Sequence, residues 1–280
     1  MSVTYSTDGI TATFTGGSGE TLSGATAVLS GATVAIIVGY SSIGDYAFFR
    51  ASALTSITIP ASVTSIGNYA FYASALTSIT VISSNVLYKD ISGVLFNKDG
   101  TTLIQYPIGN TRTTYTIPEG VISIGNDAFR SASALTSITI PASVTSIGGY
   151  AFYGASALTT VTFDADSSLT SIGQSAFESA TSLTSIIIPA SVTTIGDYAF
   201  WSASALTSVT FEAGSQLTTL GFSKAFQLSH VDTIIASQPL IKTMGWKTNE
   251  LNIIGGKHEI TVSTPPPTPI CFPAGTPVTT

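Results

Sequence analysis

One phrase governs what this chain can fold into. Leu54-Thr-Ser-Ile57-Thr-Ile59-Pro60-Ala-Ser-Val63-Thr-Ser-Ile66-Gly67-Asn-Tyr69-Ala70-Phe71 returns almost unchanged from Leu135 to Phe152 and from Leu183 to Phe200. Its closing Ala-Phe pair marks the period. The pair ends at Phe48, Phe71, Phe129, Phe152, Phe177, Phe200 and Phe226, in steps of 23, 58, 23, 25, 23 and 26 residues. A fixed step in the twenties is the mark of a solenoid: one unit cannot bury its apolar side alone, and a stack of units can. The step of 25 holds two extra residues in Phe163-Asp-Ala-Asp-Ser-Ser-Leu169, and Phe211 to Leu217 carries the same two.

Spacing inside the unit predicts its local structure. Leu54-x-x-Ile57-x-Ile59 alternates around Thr58, as a strand with one buried face does. Pro60 has no N–H to continue a ladder, so it turns the chain. Val63-x-x-Ile66 supplies a second short extended run, and Gly67 permits a sharp bend. Asn68, like Asp45 and Asp197, stands where a side chain can cap a short helical turn carrying Tyr69, Ala70 and Phe71. The expected architecture is a repeat solenoid, mostly β with short helical turns, of about seven 23-residue units.

The rest of the chain is organised around that array. Residues 1–33, rich in Thr, Gly and Ser, read as an N-terminal β cap, since a terminal unit must cover an apolar end. The solenoid is expected over residues 34–226. The step of 58 holds one ordinary unit and 35 extra residues. Within this insertion, at about 82–116, two alternating runs flank Asn97-Lys-Asp-Gly100 and predict a β-hairpin, either projecting from the array or forming a wider rung. Residues 227–262 read as a C-terminal cap and 263–270 as a stiff proline-rich linker. Residues 271–280 follow.

Only 9% of the 280 residues are charged and 44% are hydrophobic. Soluble domains usually carry about a quarter charged residues, so Ser and Thr are expected to take the solvent-facing role here. The net charge of -6 and the lack of a basic run argue against nucleic acid as a partner. The most apolar run, Ala35-Ile-Ile-Val38, is far shorter than the roughly 20 residues of a spanning helix, so no membrane insertion is expected. The first 20 residues have no basic start and no apolar core, and no signal peptide is visible. A single cysteine, Cys271, excludes an internal disulfide framework.

The matching LTSITIP strands, the VTSIGxYAF second halves and the 23-residue step resemble the BspA-like class of leucine-rich repeats over roughly Val34 to Phe226. The hairpin segment from Ser92 to Pro107 looks like an insertion common in that class. The resemblance implies a right-handed, curved leucine-rich-repeat-like stack and a surface adhesion or ligand-binding role, extracellular or on a cell or virion surface. A second likeness lies near the C-terminus. Cys271-Phe272-Pro-Ala-Gly275-Thr276-Pro-Val278 looks like the opening of a Hint (intein or hedgehog-type) autoprocessing domain. That likeness implies Cys271 as the nucleophile attacking the Ile270 carbonyl, with the thiolate suited to thioester formation. The Thr/His pair and further strands that such a domain needs do not follow in residues 272–280, so the domain is expected to be truncated and incomplete here.

Candidate functional residues fall into two sets. Thr58, Thr80, Thr139, Thr162 and Thr210 should form a ladder up one face, interrupted by Ile187. Such a ladder gives solubility and strand propensity, or a binding face for a glycan or protein. An ice-matching role would need a flatness and regularity not visible here. Tyr46, Tyr69, Tyr150, Tyr198 and Trp201 follow the glycine bends, as rim packing or as a recognition stripe, since Tyr and Trp favour interfaces. His230 and His258 stand alone, and Asp164 and Asp166 read as a solvated loop pair, so no metal and no cofactor are expected. No hydrolase, protease, phosphate-loop or dinucleotide motif occurs, and no enzyme site is expected within residues 1–262. The leading expectation is a non-enzymatic interaction protein binding a protein or glycan on a cell surface or matrix. Alternatives are a structural component of an envelope or virion, with self-association through its caps, and the solenoid part of a Hint-processed precursor.

Overall fold

The computed structural model describes residues 2–29, 31–72, 74–221, 225, 233–236 and 259–262. These form a mostly β solenoid of about nine coils, nearly free of helix. The count exceeds the seven Ala-Phe landmarks because a coil needs only its ladders. Thr11–Thr15 pairs in parallel with Val34–Val38, and Thr21–Leu22 with Ser42–Ile43, before any Ala-Phe pair has occurred. Among the described residues of 1–33, the one antiparallel pairing is that of Ser2–Tyr5 with Thr11–Thr15.

Neighbouring coils meet along three runs, the first of which is divided among three sheets. The first is the four-residue strand that the alternation predicts. Ser56–Ile59 pairs with Ser78–Val81, Ser137–Ile140 with Thr160–Phe163, and Ser185–Ile188 with Ser208–Phe211, all parallel and residue for residue. Thr233–Ala236 and Glu259–Val262 extend this ladder, also in parallel. The second run is the two-residue strand ending at Ile43, Ile66, Ile124, Ile147, Ile172 or Ile195.

The third run corrects an expectation. The segment after the glycine is not helical, and among the described residues the only helix is a 3-10 turn at Ala25–Val28. In that segment alternate N–H groups bond to the next coil: Asp127, Phe129 and Ser131 donate to the carbonyls of Gly149, Ala151 and Tyr153 at 3.0, 2.7 and 2.8 Å. The residues between close local turns, as Ala128 and Arg130 do on Gly125 and Asp127. Holding that alternation puts Tyr46, Tyr69, Asp127, Tyr150 and Tyr198 at φ between 54 and 59. A left-handed residue with a side chain costs on the order of 1–2 kcal/mol, offset here by a ladder that satisfies the backbone. The carboxylate read as a helix cap also reaches outward instead. Asp45 Oδ1 accepts from Asn68 N–H at 2.7 Å, one coil away.

Two further expectations change. Gly67 and Gly148 are required by closeness and not by the bend: a Cβ there would lie 2.4 and 2.6 Å from the backbone nitrogens of Asp45 and Asn126. Ser and Thr are also not merely solvent-facing. Thr55, Thr77, Thr136 and Thr159 each donate a hydroxyl to a Thr carbonyl one coil back, at 3.0 to 3.1 Å for three of them and 2.9 Å for Thr136. On the second run Thr145 donates to the Ile122 carbonyl at 3.1 Å, and Thr170 and Thr193 donate to the carbonyls of Thr145 and Thr170 at 2.9 and 3.1 Å. Hydroxyls thus tie coils together where charged side chains are scarce.

Apolar side chains stack over their counterparts. Phe129, Phe152, Phe177 and Phe200 form a column with centroids 4.9, 4.9 and 5.3 Å apart and planes within 11°. The insertion interrupts this order by joining the stack as a wider rung. Tyr88–Ile91, Val94–Asn97 and Thr102–Gln105 form an antiparallel meander, and Thr102–Gln105 then pairs in parallel with Ser123–Ile124. Two cores result. One gathers buried residues from Ala12 to Val81 together with Leu95, and the other runs from Val94 and Phe96 onward to Ala236.

Candidate functional site

Thr58 and Thr80 stand side by side on the first run, as do Thr139 and Thr162, while Thr210 stands beside Ile187. All five are partly or fully exposed. Unlike the threonines at the coil corners, they make no side-chain hydrogen bond among the described residues, which leaves five hydroxyls for solvent or a ligand. The row is not continuous. No ladder joins Thr160–Phe163 to Ser185–Ile188, and a cleft of about 320 Å³ lies between them, lined by Thr159, Thr160, Thr162, Thr184 and Ile187, with Glu212 at its edge.

The ring-bearing residues form a separate edge on the third run. Tyr46 stacks on Tyr69 (centroids 5.3 Å, planes 20°) and Phe49 stacks on Tyr72 (5.7 Å, 23°). Further along, Tyr150 lies 5.9 Å from Tyr153 and Tyr198 lies 6.0 Å from Trp201. In repeat register two columns emerge: Tyr46, Tyr69, Asp127, Tyr150, Ser175 and Tyr198 in one, and Phe49, Tyr72, Arg130, Tyr153, Glu178 and Trp201 in the other.

Asp127 and Arg130 therefore replace a ring pair in the coil that follows the insertion. The Arg130 guanidinium carbon lies 4.9 Å from the Tyr72 centroid, 4.1 Å from that of Tyr153, 5.7 Å from that of Tyr69 and 5.3 Å from that of Tyr150. A guanidinium is planar and weakly hydrated, and it stacks on ring faces as a ring would. Its charge is answered by Asp127, whose Oδ1 accepts from Nη1 at 2.8 Å. Burial lifts the Asp127 carboxyl above the ordinary aspartate value, against the opposing hydrogen bond from Arg130. Beside them opens a cavity of about 150 Å³, with Ile66, Leu95, Ile104 and Ile108 giving it apolar walls and Asn68, Gln105 and Asn126 polar ones.

Of the residues singled out in the sequence, Tyr69 lines this cavity, Tyr150 touches the bridging arginine, and Tyr198 and Trp201 stand farther along the edge. The threonines are not part of it. Arg130, Asp127, Tyr72 and Tyr153 were not foreseen, although aligning the repeats exposes each as a member or a break of a column. Cys271, His230 and His258 lie outside the described residues. Among the described residues no three metal-binding side chains come together, and no helix is long and apolar enough to cross a membrane.

The model of the BspA type leucine rich repeat region matches residues 31–104 and 109–231 in six copies. The Hint-like stretch at Cys271 lies beyond that match. No curated protein matches the chain. Among solved structures, the chain is similar to the pneumococcal vaccine antigen PcpA, at 25% identity and a TM-score of 0.61 over 72% of this chain and 51% of that one. It is also similar to a leucine rich cell surface protein from Faecalibacterium prausnitzii A2-165, at 31% identity and a TM-score of 0.55 over 70% of this chain and 57% of that one. The match thus spans only slightly more than half the length of either protein.

Proposed function

The chain belongs to the BspA type leucine rich repeat family, and on that premise we propose that it is a surface-exposed, non-enzymatic adhesion protein that binds a host protein or glycan through the solenoid. The family fits an interaction role in general. A surface location draws support from a neighbour described as a leucine rich cell surface protein. One observation carries the binding reading: the exposed edge presents Tyr and Trp rings at coil spacing, on a run whose backbone bonds from coil to coil, as Tyr46 N–H does to the Asn68 carbonyl and Tyr150 N–H to the Gln174 carbonyl. Rings ordered in this way bind at little entropic cost, which is why Tyr and Trp dominate interface hot spots. The five threonine hydroxyls with no internal partner offer a second, polar face.

Two measurements test the proposal. Immunogold labelling of intact source cells should place the solenoid on the outside, and labelling confined to the interior would exclude the adhesion role. Fluorescently labelled protein should bind host cells or matrix saturably, and Tyr69→Ala/Tyr150→Ala/Tyr198→Ala/Trp201→Ala should remove that binding while the circular dichroism spectrum is kept. Undiminished binding by a folded quadruple variant would exclude the aromatic edge.

A further inference from the structure

The third run is interrupted beside the insertion, and the interruption leaves backbone groups facing a cavity. Elsewhere alternate N–H groups donate to the next coil: Tyr46, Phe48 and Arg50 to the carbonyls of Asn68, Ala70 and Tyr72 at 3.0, 2.7 and 2.9 Å, and Tyr150, Phe152 and Gly154 to those of Gln174, Ala176 and Glu178 at 2.8, 2.7 and 2.8 Å. By the same register the N–H groups of Tyr69 and Phe71 face the coil of the insertion, yet among the described residues they reach no acceptor. The cause is a short coil. Leu103 pairs with Ile124, and Tyr106 donates to the Ala128 carbonyl at 2.7 Å and stacks on Phe129. Two residues, Ile104 and Gln105, thus span what the four residues Gly125 to Ala128 span in the next coil. On that far side the carbonyls of Asn126 and Arg130 accept from no N–H among the described residues, and Arg130 Nε is buried without a partner. The cavity of about 150 Å³ lined by Tyr69, Phe71, Asn126 and Arg130 lies at this shortfall.

We propose that this cavity binds a neutral secondary amide, the acetamido group of an N-acetylated sugar on a host glycan. A trans secondary amide carries its C=O and N–H on opposite sides. Its oxygen accepts from the donor wall, the N–H of Tyr69 or Phe71, and its N–H donates to the carbonyl of Asn126 or Arg130 on the other wall. Backbone groups held from water without a partner are costly, so an occupant that answers both walls is favoured over one that answers a single wall. An anion is disfavoured, because Asp127 already answers the charge of Arg130 and the chain carries a net charge of -6. Ile66, Leu95, Ile104 and Ile108 give the acetamido methyl its apolar walls. A cavity of this size takes a group about as large as benzene. The sugar ring therefore stays outside, where the exposed side chains of Asn68 and Asn126 can meet its hydroxyls. A peptide main-chain amide is continued by chain on both sides and needs two ways out, whereas an acetamido group is pendant and needs one. The inference rests on the adhesion reading, and it names the class of sugar that one site recognises.

The test uses the whole chain labelled with nitrogen-15, so that the two donors are read directly. Titration with the methyl β-glycoside of N-acetylglucosamine should shift the amide resonances of Tyr69 and Phe71 saturably, in roughly the millimolar range, and slow their exchange with solvent. Methyl β-glucoside, which lacks the acetamido group, should bind about tenfold or more weaker, because it leaves the two walls unanswered. N-acetyl-alanine methylamide tests the peptide alternative and should also bind about tenfold or more weaker. No saturable shift at Tyr69 and Phe71, equal binding of the two glycosides, or peptide binding as tight as that of the N-acetylated sugar would overturn the proposal. Its failure is separable from failure of the adhesion reading. Cell binding that persists in saturating N-acetylglucosamine glycoside but is lost in the four-ring variant leaves the edge as the interaction surface and removes only the amide site.

Discussion

Asp127 is the residue at which local chemistry and repeat position conflict most openly. It stands where four other coils place Tyr, at φ 57, with its carboxylate half-buried between ring-bearing coils. Burial raises its pKa from 3.8 and the Arg130 hydrogen bond only partly offsets this. A raised carboxyl pKa means that the folded chain holds more protons than the unfolded chain just above pH 3.8. The stability this contributes is fully present below the unfolded value and is lost as pH rises through the folded value. Asp127→Asn lacks that term and keeps the other carboxylates. The difference in denaturation midpoint between variant and wild type should therefore move in the variant's favour as pH rises through the acid range. A difference that stays constant, or moves the other way, would show that the Arg130 bond outweighs burial. None of this was legible in one unit. Within its own unit Asp127 is simply a polar residue after Gly125-Asn126, and only its column, set by the ladder of the third run, reveals a missing ring.

At the scale of elements, the insertion behaves as part of the stack because buried amides fasten both its ends. Asn85 is fully buried and spends all its capacity: Nδ2 donates to the carbonyls of Pro60 and Val63 at 2.8 and 2.9 Å, and Oδ1 accepts from the N–H groups of Leu87 and Tyr88 at 2.9 and 2.8 Å. Asn110 closes the far end, donating to the Thr77 carbonyl at 3.0 Å and accepting from Arg112 N–H at 2.9 Å. Asn85→Ala strands several buried backbone groups and should destabilise the chain by on the order of 3 kcal/mol. The loss of amide-exchange protection should be greatest in Tyr88–Ile91 and the turn before it, and protection unchanged there would remove Asn85 as the fastening. The hairpin was readable from alternation around Lys98-Asp-Gly100, and the core strands from their Leu and Ile spacing. The asparagines were not, because a buried amide earns its place through backbone groups about 22 to 25 residues away that no local pattern displays.

For the whole molecule, the consequence of the insertion is a divided core. Val94–Asn97 is the partition: Leu95 packs with the residues from Ala12 to Val81, while its neighbours Val94 and Phe96 pack with the residues that follow. The phenylalanine column divides at the same place. Phe48 stacks on Phe71 at 6.0 Å, and the next column begins with Tyr106 on Phe129 at 5.0 Å. In a repeat array, stability is close to a sum of unit and nearest-neighbour terms, so a weak junction lets damage stay on its own side. Phe48→Ala and Phe177→Ala remove equivalent, fully buried rings, one from each core, and each should cost about 3–5 kcal/mol. Hydrogen exchange should then show Phe48→Ala lowering protection mainly in residues up to 81, and Phe177→Ala lowering it mainly from residue 94 onward. Equal losses in both halves from either substitution would mean that the Arg130 stack and the Val94–Asn97 partition couple the two cores into one cooperative unit. Confinement would mean that the junction, where the small cavity and the bridging arginine also lie, is where the two halves can move against each other.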